Sequence, residues 1–129
     1  MARIQDIVFD CAHPASLARF WAAVLDEYAV AAYEEADLEQ LRSLGVTDPE
    51  DDPTVLVETP GQPGRTPRLW FQRVPEGKTV KNRMHLDLRA DDPEAEIDRL
   101  VDLGATVLAR YEGQVVLADP EGSEFCLLR

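Results

Sequence analysis

The sequence predicts an α+β domain made of two copies of one module, strand-helix-strand-strand-strand. Three observations predict it. Short segments of alternating apolar residues, or of β-branched residues, recur along both halves of the chain. Two helical stripes each open on a proline, Pro14 and Pro93, which suits a first helical position where no N–H is needed. The offset between them, 93 − 14 = 79, keeps the apolar phase of the two halves. Under it Ile7 meets Leu86, Ala18 meets Ile97, Trp21 meets Leu100 and Val24 meets Leu103. Module one is set at 1–75, a polar connector at 76–81 and module two at 82–129.

In module one, Ile4–Cys11 alternates Ile7 and Phe9 with Asp6, Val8 and Asp10, a strand with one apolar and one mixed face. After His13, Leu17, Phe20, Trp21, Val24 and Leu25 form the stripe of a helix running from Pro14 through Tyr28. Val30–Glu35 reads as a short strand and Asp37–Glu50 as an acidic segment with one helix ending near Gly45. Asp48–Pro53 reads as a turn and Thr54–Glu58 as a β-branched strand. Thr59–Pro67, crowded with proline and glycine, is an exposed hairpin loop, and Arg68–Val74 returns as a strand.

Module two opens with the alternating strand Asn82–Ala90. Asp92 then caps a helix carrying Ile97, Leu100, Val101 and Leu103 on one face, closed by Gly104. Thr106–Tyr111, Gln114–Ala118 and Glu124–Leu128 follow as strands, the last two joined by the turn Asp119–Gly122.

Composition narrows the function. The 129 residues hold 13 Lys and Arg against 25 Asp and Glu, a formal charge of −12. A chain of this length buries roughly 70% of its extended-state surface and needs no disulfide or metal staple to fold. Strong acidity disfavours nucleic acid and anionic membrane surfaces as partners, since both are held through Lys and Arg. No run approaches a membrane span, and the N-terminus carries no signal-peptide pattern. With Cys11 and Cys126 as the two cysteines, the expectation is a cytoplasmic protein with reduced thiols. The partner expected is a small molecule, cationic or proton-accepting rather than anionic.

The same offset places Asp6 opposite His85, Val8 opposite Asp87 and Asp10 opposite Arg89, so the mixed face of each first strand is polar in both halves. Such a face meets solvent or lines a cavity. If it lines a cavity, Asp6, Asp10, Asp87 and Glu124 converge there, raising one another's pKa unless Arg89 neutralises them. Trp70 shares strand parity with Gln72 and is the aromatic expected on that face, with Phe71 in the core. His85 is a candidate proton-transfer group, since histidine titrates near neutral pH. Cys126 lacks basic neighbours in sequence and is rejected as a nucleophile.

At this point the chain resembles the vicinal oxygen chelate superfamily, in particular its glyoxalase-like, glyoxalase/bleomycin-resistance domains. The resemblance rests on the paired modules, on FDCAHPASLARFW, on KNRMHLDLRADDP and on the terminal VVLADPEGSEFCLL. It implies two βαβββ modules whose curved sheets surround a cleft, a homodimer, and an insertion at Asp37–Asp52. Relatives commonly hold a divalent metal through side chains of the first and last strands. Carried over residue by residue, those positions are Asp6, His85, Cys126 and, in module one's last strand, Gln72, with Phe71 as the off-by-one alternative.

That donor set departs from the family's pattern. A thiol at position 126 in place of a carboxylate does not suit magnesium or manganese. Zinc accepts Asp, His and Cys. The first expectation is no resident cofactor, and a divalent, zinc-like metal at His85 and Asp6 is the alternative. Glyoxalase I activity proper is disfavoured, as is a metal-dependent dioxygenase, which would use two histidines and a carboxylate. The favoured function is a small-molecule enzyme of the lyase, isomerase or dehydratase type. It would use His85 with Asp6 or Asp87 for proton transfer, and Asp10, Trp70, Gln72, Arg89, Glu124 and Cys126 would line the site. The alternative is a non-catalytic protein of the bleomycin-resistance kind that sequesters a cationic drug or metabolite.

Overall fold

The apolar alternation and the helical stripes fold as two copies of the same sheet topology. A computed structural model describes all 129 residues. They form two compact units, 1–77 and 78–129, divided inside the connector that the sequence marks.

In the first unit, β1 (Asp6–Cys11), β2 (Ala29–Val30), β3 (Thr54–Glu58) and β4 (Arg68–Arg73) form a mixed sheet in the order β1-β4-β3-β2. β1 runs parallel to β4, and the other pairs are antiparallel. Helix α1 (Pro14–Val24) packs its stripe of Leu17, Phe20 and Trp21 on β3 and β4. Phe9 links the layers, stacked on Phe71 at 4.8 Å and tilted against Trp21 at 5.3 Å between ring centroids.

Two boundaries differ from the sequence reading. The α1 stripe stops at Val24 rather than Tyr28, because the chain must turn to bring Ala29 opposite Glu58. Glu27 takes the left-handed conformation (φ 65°), and the Tyr28 hydroxyl donates to the Pro67 carbonyl at 2.8 Å. The strand expected at Val30–Glu35 pairs only over Ala29–Val30. Glu34 instead opens helix α2 (Glu35–Ser43) through a capping box in which the Glu34 and Asp37 side chains accept each other's backbone N–H. A single 3₁₀ turn, Pro49–Asp51, then leads into β3.

The second unit repeats the plan as β5 (Asp87–Leu88), α3 (Pro93–Leu103), β6 (Thr106–Arg110), β7 (Gln114–Ala118) and β8 (Glu124–Leu128), in the order β5-β8-β7-β6. β5 is parallel to β8, as β1 is to β4. The Asp92 side chain caps α3 by accepting from Ala95 N at 3.2 Å, and Gly104 ends it at φ 120°. The strand expected over Asn82–Ala90 contracts to two ladder residues, extended by the Leu86 carbonyl accepting from Cys126 N at 2.9 Å. The β6–β7 register shifts between Val107 and Ala109, and Leu108 lies on the exposed side of β6 with Thr106 and Arg110. No helix is long and apolar enough to cross a membrane.

Candidate functional site

Successive strand residues point to opposite faces, so pairing register decides which side chains share a surface. In the first unit the ladder sets Asp6 beside Arg68, Val8 beside Trp70 and Asp10 beside Gln72. These residues occupy the face away from α1, as the parity of the sequence predicts. Their chemistry differs from the expectation at one point. Asp6 is engaged by Arg68, whose Nε and Nη2 donate to its two carboxylate oxygens at 2.8 and 3.1 Å. The same guanidinium lies 5.8 Å from the centroid of the Trp70 ring. Asp6 is thus one half of a bidentate ion pair, and Arg68, which the sequence reading passed over, is the other. Asp10 accepts a long bond from the Gln72 amide at 3.4 Å, and both residues are exposed.

In the second unit His85, Asp87 and Cys126 come together. The Asp87–Cys126 rung of the β5–β8 ladder puts both side chains on the face away from α3, and His85 precedes Asp87 by two residues. The His85 Nε2 stands 3.2 Å from an Asp87 oxygen, and the donor atoms of all three residues lie within 4.8 Å of one another. Cys126 is 5% exposed. Burial, and secondarily the negative charge of Asp87, push its thiol above the usual range, which agrees with its rejection as a nucleophile.

Glu124 departs from the expected convergence of carboxylates. It accepts from the backbone N–H of Asn82 at 3.0 Å and from Lys78 Nζ at 3.2 Å. The Asn82 bond is the largest cause, with Lys78 adding to it, that holds its pKa down at about 2, the opposite of mutual elevation. Arg89 does not neutralise the face either: it is exposed and forms no ion pair, and Arg68 and Lys78 do that work.

The ladders also correct the match between modules. Val8 corresponds to Asp87 under the 79-residue offset, and their ladder partners are Trp70 and Cys126. Trp70, rather than Gln72, therefore holds in module one the place of Cys126. Phe71 is fully buried on the α1 side.

The first unit holds a pocket of about 430 Å³ between α2 and the β3–β4 part of the same sheet face. Trp70 and Leu56 form part of its base, and Leu41 of α2 and Leu44 just after it part of its wall. At one side the Tyr33 hydroxyl donates to Asp52 at 2.6 Å, and Thr54 N donates to the other Asp52 oxygen at 2.9 Å. Burial foremost, and then the bond to Asp52, raise the Tyr33 pKa, so this phenol stays protonated. Sequence reasoning missed the Tyr33–Asp52 contact because the insertion that folds these residues together carries no local signal of it.

His85, Asp87 and Cys126 offer a donor set with a definite metal preference. One imidazole, one carboxylate and one buried thiol fit a borderline-soft ion such as zinc, which binds N, O and S donors and leaves a fourth position for substrate. They do not fit magnesium or manganese. Asp6, expected in this set, is absent from it and paired with Arg68 instead.

Comparison with known proteins places the architecture. The profile of the glyoxalase-like domain matches residues 6–128. No curated protein sequence matches the chain significantly. Among solved structures, the fosfomycin resistance protein of Mesorhizobium loti superposes with a TM-score of 0.66 at 11% identity, over 99% of this chain and 91% of that one. The trypanothione-dependent glyoxalase I of Leishmania major gives 0.61 at 14% identity, over 100% and 87%. A glyoxalase/bleomycin resistance protein/dioxygenase family enzyme of Burkholderia phytofirmans gives 0.59 at 18% identity, over 98% and 97%. At these identities the structures share the fold, while the profile match spans nearly the whole chain. The chain therefore belongs to the glyoxalase-like domain family, within the vicinal oxygen chelate superfamily.

Proposed function

We propose that this protein acts on a small molecule by proton transfer at His85, in reactions of the lyase, isomerase or dehydratase type. The observation that carries the reading is the His85–Asp87–Cys126 cluster, with its imidazole–carboxylate distance of 3.2 Å. Asp87 fixes the imidazole orientation and stabilises the imidazolium formed when His85 takes a proton from substrate. His85 keeps about two-fifths of its side chain in solvent (42%), so a ligand can reach it. His85, Asp87 and Cys126 are also the residues that would hold a zinc-like ion, as an alternative to proton transfer at His85, because a metal-bound imidazole does not take the proton. Such an ion supplies Lewis-acid polarisation of a substrate oxygen.

The test is metal loading of the purified protein. Metal-free protein leaves His85 as the proton acceptor, whereas stoichiometric zinc, with a thiolate-to-cobalt absorption on cobalt substitution that Cys126→Ser abolishes, would replace that role with metal-assisted chemistry. His85→Ala and Cys126→Ser should both lose the ion. Retention of metal in both variants would remove this cluster from the metal reading. A second reading, sequestration of a cationic compound without chemistry, is supported by the acidic lining of the pocket in module one.

A further inference from the structure

We propose that the pocket between α2 and the sheet of module one recognises an organic cation, a protonated amine or quaternary ammonium group carried on an apolar body. This rests on the reading of the chain as a small-molecule binder. It does not depend on the metal or the proton-transfer residues of module two.

Charge makes the first argument. Glu34, Asp37, Asp52 and Glu58 line the pocket, and no Lys, Arg or His does. Asp52 is the telling member. It is 6% exposed, yet its partners are two neutral donors, the Tyr33 hydroxyl and Thr54 N–H, and it forms no ion pair. Buried carboxylates are ordinarily matched by a positive charge, and a carboxylate with two bonds made can still accept more. An anionic ligand would face four carboxylates, of which Glu34 and Asp37 are engaged by first-turn amides of α2 and Glu58 feels the Arg68 charge, while Asp52 has neutral donors alone.

Shape and surface make the second. At about 430 Å³ the pocket lies in the range of small-molecule sites, roughly 300–1,000 Å³. Its carboxylates are too dispersed to wrap a metal ion, because the one group of three or more metal-binding side chains with gathered donor atoms is that of His85. Between the carboxylates lie Leu41, Leu44 and Leu56, which match an apolar body, and the Trp70 indole, whose ring already attracts the Arg68 guanidinium. Arg68 is held by Asp6 and does not line the pocket, and although its charge also acts on Glu58, the lining residues carry four negative charges and no positive one.

The test uses the full chain and three probes of similar size: benzyltrimethylammonium, benzyl alcohol and phenylacetate. Calorimetric titration should give one site for benzyltrimethylammonium with a Kd of about 1 mM or tighter, the range open to so small a ligand. The neutral and anionic probes should bind at least about tenfold more weakly, and salt should weaken the cation. Asp52→Asn and Glu58→Gln should each weaken the cation by about threefold or more. Should Asp52→Asn fail to fold, Glu58→Gln decides alone. Equal binding of all three probes, no cation binding, or cation binding indifferent to Glu58→Gln would overturn the proposal. Zinc loading scored on the same preparations separates this outcome from failure of the module-two cluster.

Discussion

In module one residues 31–53 connect β2 to β3, whereas in module two residues 111–113 join β6 to β7. The sheets are otherwise alike in strand order and in their parallel outer pair. The long connection supplies α2, the Tyr33–Asp52 contact and a pocket; the short one leaves its sheet face without such a wall. Equivalent positions on the first and last strands diverge as well. Where module one has Asp6 clasped by Arg68, module two has His85 and Glu124, and Glu124 turns to Lys78 and Asn82. His85 is thereby left to Asp87 and Cys126. One scaffold thus yields a locked, carboxylate-and-indole face in one copy and a titratable cluster in the other. Helix-facing packing is shared, and the chemistry lies in the connection length and the residues at matched register.

The largest effect should come from the shared packing. Phe71 and Leu127 hold matched places in the two sheets and are both fully buried. Phe71→Ala should cost about 3–5 kcal/mol, and Leu127→Ala about 2–5 kcal/mol, as cavities open beside α1 and α3. Both tryptophans, Trp21 and Trp70, lie in module one. Urea unfolding followed by tryptophan emission should therefore respond mainly to Phe71→Ala, and circular dichroism to both. An equal shift of the emission midpoint in Leu127→Ala would mean that the modules melt as one unit, which would weaken their treatment as separate cores.

A smaller effect belongs to the connection that only module one has. Tyr33→Phe removes the hydroxyl that donates to the buried Asp52 carboxylate. Leaving that acceptor short should cost about 1–3 kcal/mol. The loss should be local. The Leu38 amide, bonded to the Glu34 carbonyl in the first turn of α2, should exchange faster, while amides of β7 and β8 keep their protection. Uniform acceleration through both sheets would show that the insertion supports the whole fold.

These contrasts were unequally legible in the sequence. Period-two parity placed Asp6, Asp10, Trp70 and Gln72 on one face, and the paired prolines located α1 and α3, because both signals are local. Gly104 and Asp92 marked the ends of α3 for the same reason. The Asp6–Arg68 pair was not legible, since it spans 62 residues and depends on the β1–β4 register. Gln72, the position that the sequence suggests, lies two residues along that register from Trp70, which the ladder sets opposite Val8. Parity survives such a slip and partner identity does not. The sequence shows the strand that carries Glu124 but not its neighbours, because Lys78 in the connector and Asn82 just after it lie in a stretch without periodicity.

The smallest effect tests the face of module two by pH. Glu124 titrates at about 2 in the folded chain, against an ordinary value of 4.5. Between those values the unfolded chain binds more protons than the folded one, so stability rises with pH across this window. The contribution is complete above about 4.5 and is lost as the pH falls through about 2. Glu124→Gln keeps an acceptor for Asn82 N–H but removes the charge. The melting temperature of the variant should lie below that of the wild type at neutral pH, and the gap should close as the pH approaches 2. Other carboxylates titrate in the same range, and taking the difference between the two proteins removes their share. A gap independent of pH would mean that Lys78 and Asn82 bind the side chain for its shape alone. His85 would then owe its separation from Glu124 to packing rather than to charge.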